Sequence, residues 1–303
     1  MGSVEGQPVM KIESGILFEV TNDDLDNGRL IIPEGVTEIS SYALDQATNA
    51  KNVICPTTLK VIRQNAFASH PKLEKIEFNE GLEEIESSAF QACQKLKGCI
   101  FPTSLVELGN QAFNYCSSIE YASLSGHLRE VGVMVFGECE HLKVLELATY
   151  ECDYAPYLFS CCSHLETLII SSCDINLHDH SMLGCERLQT VILNLASEEE
   201  FTKQHNLLPP SLAKLLEKNI NSFFAAVLKD ENRQGDVNQH YFFRQSIEST
   251  GTQEFVKITE LAAHYKLPDF FVDLAVQKLK SQDIAASSTL NIENTLVDPF
   301  CYS

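Results

Sequence analysis

Leu82-Glu-Glu-Ile85-Glu-Ser-Ser-Ala89-Phe90-Gln-Ala-Cys93-Gln-Lys-Leu96 is one copy of a pattern that returns every 23 residues. The cysteine recurs as Cys93, Cys116, Cys139, Cys162 and Cys185. Three places earlier an aromatic slot reads Leu44, Phe67, Phe90, Phe113, Phe136, Phe159 and Met182. Further apolar slots read Val53, Ile76, Cys99, Ala122, Leu145, Leu168 and Val191, then Cys55, Phe78, Phe101, Leu124, Leu147, Ile170 and Leu193. Seven coils keep one register without an insertion. A fixed period of this length is the mark of a solenoid. One coil cannot bury its apolar side alone, whereas stacked coils share a continuous core.

Written out, the unit is Ala-Phe-x-x-Cys-x-x-Leu-x-x-Ile-x-Phe-Pro-x-x-Leu-x-x-Ile, and over residues 30–194 it resembles the BspA-like leucine-rich repeats. The resemblance implies a mainly β repeat solenoid that serves as a recognition scaffold. Relatives of this kind occur on secreted, surface and host-directed proteins of bacteria and protists. In the last two coils Glu151, Asp174 and Tyr154 occupy slots that are apolar elsewhere, so the array is expected to fray or to be covered there.

The period ends after Asn194. Leu212, Leu215, Leu216, Ile220, Phe223, Phe224, Val227 and Leu228 then form the apolar stripe of an α-helix that begins near Pro209-Pro210-Ser211 and closes near Gly235. Three further helices are expected at 237–247, 253–265 and 269–280. The organisation read from the chain is an N-terminal cap at 1–29, a solenoid at 30–196, an α-helical C-terminal domain at 197–281 and a flexible tail at 282–303. Within the cap, residues 9–20 read as two short strands around Ser14-Gly15. The helical segment is expected either to cover the last coil or to act as a separate module.

The chain has 303 residues and a formal charge of −20, and 27 of its 42 Asp and Glu lie before residue 198. An acidic array disfavours nucleic acid, whose binding rests on Lys and Arg displacing counterions. It favours a protein partner, particularly a basic one. No run of about 18 apolar residues is present, so no membrane insertion is expected. The start Met1-Gly-Ser-Val-Glu-Gly-Gln lacks a basic and then apolar leader. The expected setting is the cytoplasm of a microbe or, after specialised secretion, of its host, with thiols reduced. The ladder cysteines are read as small buried side chains with weak S–H donors. Their parallel Cα–Cβ vectors, about 4.8 Å apart, do not suit a disulfide.

Nothing in the chain points to catalysis. A phosphate loop, a Gly-x-Ser-x-Gly elbow and a His-Glu-x-x-His helix are all lacking. His178-Asp179-His180 falls on an exposed turn, and Cys301 lies in the last three residues without a His or acidic neighbour. No catalytic residue, metal or cofactor is therefore expected.

Strand alternation gives the binding face. With Val53, Ile76, Leu145 and Leu168 inward and the slot two places on also inward, the residue between them points out of the sheet. That column reads Ile54, Glu77, Ile100, Ser123, Glu146, Ile169 and Ile192. Beside it run Asn52, Lys75, Gly98, Tyr121, Val144, Thr167 and Thr190. A contiguous apolar patch on a sheet marks a contact. The candidate protein-binding residues are Ile54, Lys75, Glu77, Ile100, Tyr121, Val144, Glu146 and Ile169. A further column, Lys51, Glu74, Lys97, Glu120, Lys143 and Glu166, alternates in sign as a cross-strand charge ladder. The function expected is non-enzymatic recognition of a protein, as a host-directed effector or a regulator of another effector. The alternatives are an enzyme or adaptor whose repeats choose a substrate for the helical domain, and a purely assembling array.

Overall fold

The computed structural model describes residues 10–98, 100–195 and 197–228. Expectations placed on 237–247, 253–265, 269–280, the tail, Cys99 and Cys301 lie outside the described residues. The chain winds into a β-solenoid of about eight turns. Its parallel strands pair 23 residues apart, for example Arg29 with Asn52, Val61 with Glu84 and Tyr121 with Val144.

A typical coil contributes a strand to a long-strand face, then a two-residue strand to a second sheet, and returns through the Ala-Phe turn. The second sheet has eight strands, from Lys11–Glu13 to Asp153–Tyr154. Its first two strands, Lys11–Glu13 and Ile16–Glu19, form the hairpin read around Ser14-Gly15, and the latter strand pairs with Glu38–Ile39. The hairpin thereby covers the first coil with hydrogen-bonded backbone.

The long-strand face is divided. Arg29–Ile31, Asn52–Ile54 and Lys75–Glu77 form one sheet; Tyr121–Gly126, Val144–Thr149, Thr167–Ile170 and Thr190–Leu193 form another. Among the described residues between them, Lys97, Gly98, Ile100 and Phe101 belong to no strand. A single continuous face was the expectation, and the middle coil interrupts it.

The core is one stack of like residues. Phe67, Phe90, Phe113, Phe136 and Phe159 are fully buried. Successive rings from Phe67 to Phe136 lie 4.7, 4.9 and 5.7 Å apart in near-parallel planes. The carbonyl of each Phe is met by the cysteine of the next coil. Phe67 O accepts the N–H of His70 and the S–H of Cys93, and Cys116, Cys139, Cys162 and Cys185 repeat that S–H bond to Phe90, Phe113, Phe136 and Phe159 at 3.0 to 3.2 Å. A small side chain with a weak donor satisfies the second lone pair of a buried carbonyl. Burial pushes the Cys93 and Cys139 thiols up to about 12, which keeps the nucleophilic thiolate unpopulated. All the described cysteines are free thiols.

The turn holds two left-handed residues per coil. One slot reads Tyr42, Asn65, Ser88, Gln111, Met134 and Tyr157; the other reads Ser69, Ala92, Tyr115, Glu138, Cys161 and Gly184. For residues other than glycine this conformation costs about 1–3 kcal/mol. Its return is direction. It turns each N–H toward the next coil, so that Ser69, Ala92, Tyr115, Glu138 and Cys161 donate to the carbonyls of Gln91, Asn114, Gly137, Ser160 and Leu183 at 2.6 to 2.9 Å.

The C-terminal end is covered. Helix α1 (Glu198–Leu207) begins at Ser197, whose hydroxyl accepts the Glu200 N–H, and α2 (Pro210–Leu228) follows after Pro209. Leu212, Leu216 and Ile220 are buried along one face of α2, which packs on the strand Thr190–Leu193. Gln204 of α1 is buried and bonds both backbone groups of Ile175, at 2.9 and 2.7 Å, as a neighbouring coil would. Tyr154 does not fray the array. It is buried in the slot of Val131, and its hydroxyl bonds Thr149 Oγ1 at 2.5 Å.

Two measurements follow from this packing. Phe113→Ala removes the middle of the ring stack and is expected to cost about 3–5 kcal/mol in denaturant unfolding; a loss below about 1 kcal/mol would contradict a shared core. His70 occupies the cysteine slot of its coil, buried, with Nε2 bonded to Ala47 O and Nδ1 accepting the Leu73 N–H. Only the neutral ring serves both bonds. Desolvation holds its pKa below the ordinary value, against the raising effects of the Ala47 carbonyl and Asp45. The unfolded chain therefore takes up this proton first, and stability complete above about pH 6.5 falls as the pH drops below it. Thermal melts between pH 7.5 and 5 should decline more steeply for the wild type than for His70→Cys; parallel declines would refute the assignment.

Candidate recognition face

The long-strand face carries its side chains as a pleat dictates. Val53, Ile76, Ala122, Leu145, Leu168 and Val191 are buried beneath it, as are Cys55, Phe101, Leu124, Leu147, Ile170 and Leu193. Phe78 is only partly buried against the core, at the interrupted coil. Between the two inward rows, Ile54, Val144 and Ile169 are half-buried, and Lys75 and Glu77 are exposed. Tyr121 is 47% exposed and Ile100 is 89% exposed. The expected patch is therefore graded, with its most exposed apolar member on the interrupted coil and its shallower members on the four-stranded sheet.

The polar members are not free hooks. Glu146 accepts hydrogen bonds from Tyr121 Oη at 2.7 Å, Ser123 Oγ at 3.1 Å and Ser171 Oγ at 3.1 Å. These donors, the Tyr121 hydroxyl first, hold its carboxyl below the usual range, so it stays ionised. Burial and the adjacent carboxylate raise the Tyr121 phenol. Lys75 and Glu77 pair along one strand at 2.6 Å. The face thus presents one ionised carboxylate fixed by three hydroxyls, one aromatic ring held by that carboxylate, and aliphatic side chains around them.

The charge ladder beside the face is formed in two places, Lys97 to Glu74 at 3.5 Å and Lys143 to Glu120 at 3.0 Å. Both pairs are exposed, and such pairs are worth about 0–1 kcal/mol. His178-Asp179-His180 lies around a short 3₁₀ helix (Asp179–Met182), where the His180 ring faces Tyr157 at 5.4 Å. Among the described residues no group of three His, Cys, Asp or Glu is arranged to hold a metal ion.

Two features of this face escaped the sequence reading. The hub at Glu146 joins residues 23 and 25 positions apart, a convergence that periodicity alone does not announce. The interruption had a signal, since Gly98 stands where neighbouring coils carry Lys75 and Tyr121. Its φ of 155° is a conformation that residues with a Cβ rarely adopt, although a Cβ there would meet only Tyr121 O at 3.6 Å. Glycine weakens a strand interior because it has no side chain to pack and more backbone entropy to lose.

Between the two sheets lies a groove of about 880 Å³, lined by Lys75–Glu80, Lys97, Gly98, Ile100–Pro102 and Tyr121 among others. Its volume falls in the upper part of the about 300–1,000 Å³ typical of ligand sites.

No curated protein matches the sequence. Among solved structures, the chain is similar to the leucine-rich repeat protein of T. pallidum, at 25% identity over 67% of this chain and 86% of that one, with a TM-score of 0.49. It is also similar to the pneumococcal vaccine antigen PcpA, at 21% identity over 52% of this chain and 40% of that one, with a TM-score of 0.45. A leucine-rich repeat protein of Bacteroides ovatus matches at 15% identity over 60% and 84%, with a TM-score of 0.28. The BspA type leucine rich repeat region itself matches in six copies, over residues 22–143 and 106–208. The chain belongs to the BspA type leucine-rich repeat family.

Proposed function

We propose that this protein is a non-enzymatic recognition scaffold that binds a protein partner through its long-strand face. Leucine-rich repeat arrays are generally protein-interaction scaffolds. The observation that carries the reading is Ile100, a large aliphatic side chain 89% exposed beside Tyr121 on a face that is otherwise fixed by hydrogen bonds. Exposed apolar surface on a rigid frame costs little ordering entropy on binding, because the contacting side chains are already placed.

The binding residues proposed are Ile54, Lys75, Glu77, Ile100, Tyr121, Val144, Glu146 and Ile169. Tyr121 and the isoleucines serve as anchors, since aromatic and large apolar groups dominate interface energy. Glu146 supplies a fixed negative charge at the centre. A net charge of −20 favours a partner with basic surface. The setting proposed is the cytoplasm of a microbe or of its host after specialised secretion, with a role as a host-directed effector or as a regulator of one. What supports this setting is the family resemblance and the thiol-rich core.

The test is capture from native or host lysate, identified by mass spectrometry. Wild type is compared with Val144→Asp plus Ile169→Asp, and with Tyr115→Asp on the Ala-Phe turn, all with matching thermal melts. The expected result is a partner held by wild type and Tyr115→Asp and lost, by about tenfold or more, from the double variant. A partner held equally by all three would place recognition elsewhere.

A further inference from the structure

Where the long-strand face is interrupted, two backbone donors lack acceptors among the described residues. In the intact part, Ile32 N–H donates to Ile54 O at 3.1 Å and Cys55 N–H to Glu77 O at 3.0 Å. One and two coils further on, the equivalent N–H groups of Phe78 and Phe101 find no acceptor among the described residues. Unpaired backbone donors in a structure otherwise tied coil to coil are a template for an added extended chain.

The side chains around the gap define what that chain should be. Phe78 is partly buried with its ring 6.1 Å from that of Phe101, and Ile100 stands out beside them. Two carboxylates lie to either side of this apolar floor, Glu80 in the groove lining and Glu146 one strand beyond, bonded to the lining residue Tyr121. Glu80 accepts from the backbone N–H and hydroxyl of Thr103, both at 3.1 Å, and from Ser104 N–H. Glu146 is held by Tyr121, Ser123 and Ser171. Neither has an ion-pair partner among the described residues, whereas the cations lining the groove are engaged, Lys75 with Glu77 and Lys97 with Glu74. The hydrogen bonds to Thr103 and Tyr121 lower the two carboxyl pKa values, so both are charged at neutral pH.

We propose that the groove between Lys75–Glu77 and Tyr121–Gly126 receives an extended peptide segment of the partner protein, an apolar residue packing on Ile100 and Phe78 with Lys or Arg on either side facing Glu80 and Glu146. This rests on the long-strand face being the recognition surface. It adds the mode, in which main-chain hydrogen bonds give affinity and alternate side chains give specificity. A helix presents neither free backbone groups nor side chains at alternate positions, and an acidic segment would meet two fixed carboxylates.

Random twelve-residue peptides displayed on phage are selected on the full chain and counter-selected on Ile100→Asp with a matching thermal melt. The expected yield is sequences alternating apolar and basic residues. A synthetic copy of the most enriched peptide should bind wild type, lose about tenfold or more in affinity to Ile100→Asp, and weaken at low salt with Glu80→Gln plus Glu146→Gln. In hydrogen exchange it should protect segments 75–80 and 97–102. No enrichment over the Ile100→Asp control, peptides of acidic or helical pattern, or protection confined to other segments would overturn the proposal. A lysate partner that depends on Val144 and Ile169 but competes with none of these peptides would sink the groove and leave the recognition reading standing.

Discussion

The backbone bond from the second left-handed turn residue of a coil, as at Ser69, Ala92, Tyr115, Glu138 and Cys161, to the carbonyl of the next coil is the interaction on which the rest depends. It is formed only when the next coil is in place, so the strain of the turn is relieved by stacking and by nothing within a single coil. The turn in turn sets the position of the Phe ring that follows Ala, and the ring stack sets the 23-residue register of both sheets. Cysteine completes the arrangement by giving the Phe carbonyl a second, weak donor from a small side chain that is otherwise apolar enough to be buried. In such a one-dimensional stack each coil's stability comes largely from its neighbours, which is why both ends carry a cover: a hairpin at one, and Gln204 with α1 and α2 at the other.

Much of this was legible in the sequence because side-chain period and backbone period coincide. The Cys and Phe slots, the inward rows at Val53 and Cys55 and the hairpin around Ser14-Gly15 follow from counting. Helix α2 was visible through Leu212, Leu216 and Ile220, whereas α1 was not. Its apolar stripe is thin, and its mark is the cap Ser197 with Glu200 three residues on. Tyr154 read as a departure from the pattern because its hydroxyl was counted against it. The partner Thr149 lies five residues earlier, at the end of the long-face strand of the same coil, so the polar atom is satisfied and the ring fills an apolar slot.

The face was legible as columns but not as relief. Alternation states which side chains point outward, and all eight candidates do lie on the long-strand face. It does not state that the ladder breaks at Gly98, because a single glycine in register is compatible with a continued strand. Nor does it reveal that Glu146 gathers Tyr121, Ser123 and Ser171, since their meeting depends on the lateral spacing of three coils. These two departures from strict repetition distinguish this array from a uniform one, and the proposed recognition is built on them.

A stack locked by its turns and opened at one coil makes a direct claim about backbone protection. The measurement is residue-resolved hydrogen exchange on the full chain under native conditions. The account predicts slow exchange, at the level of global unfolding, for the turn amides of Ala92, Tyr115 and Glu138 and for strands Val144–Thr149 and Thr167–Ile170, with Phe78, Ile100 and Phe101 exchanging orders of magnitude faster. Uniform slow exchange through residues 75–126 would show a continuous ladder and contradict the interruption, and fast exchange at the turn amides would contradict the lock itself.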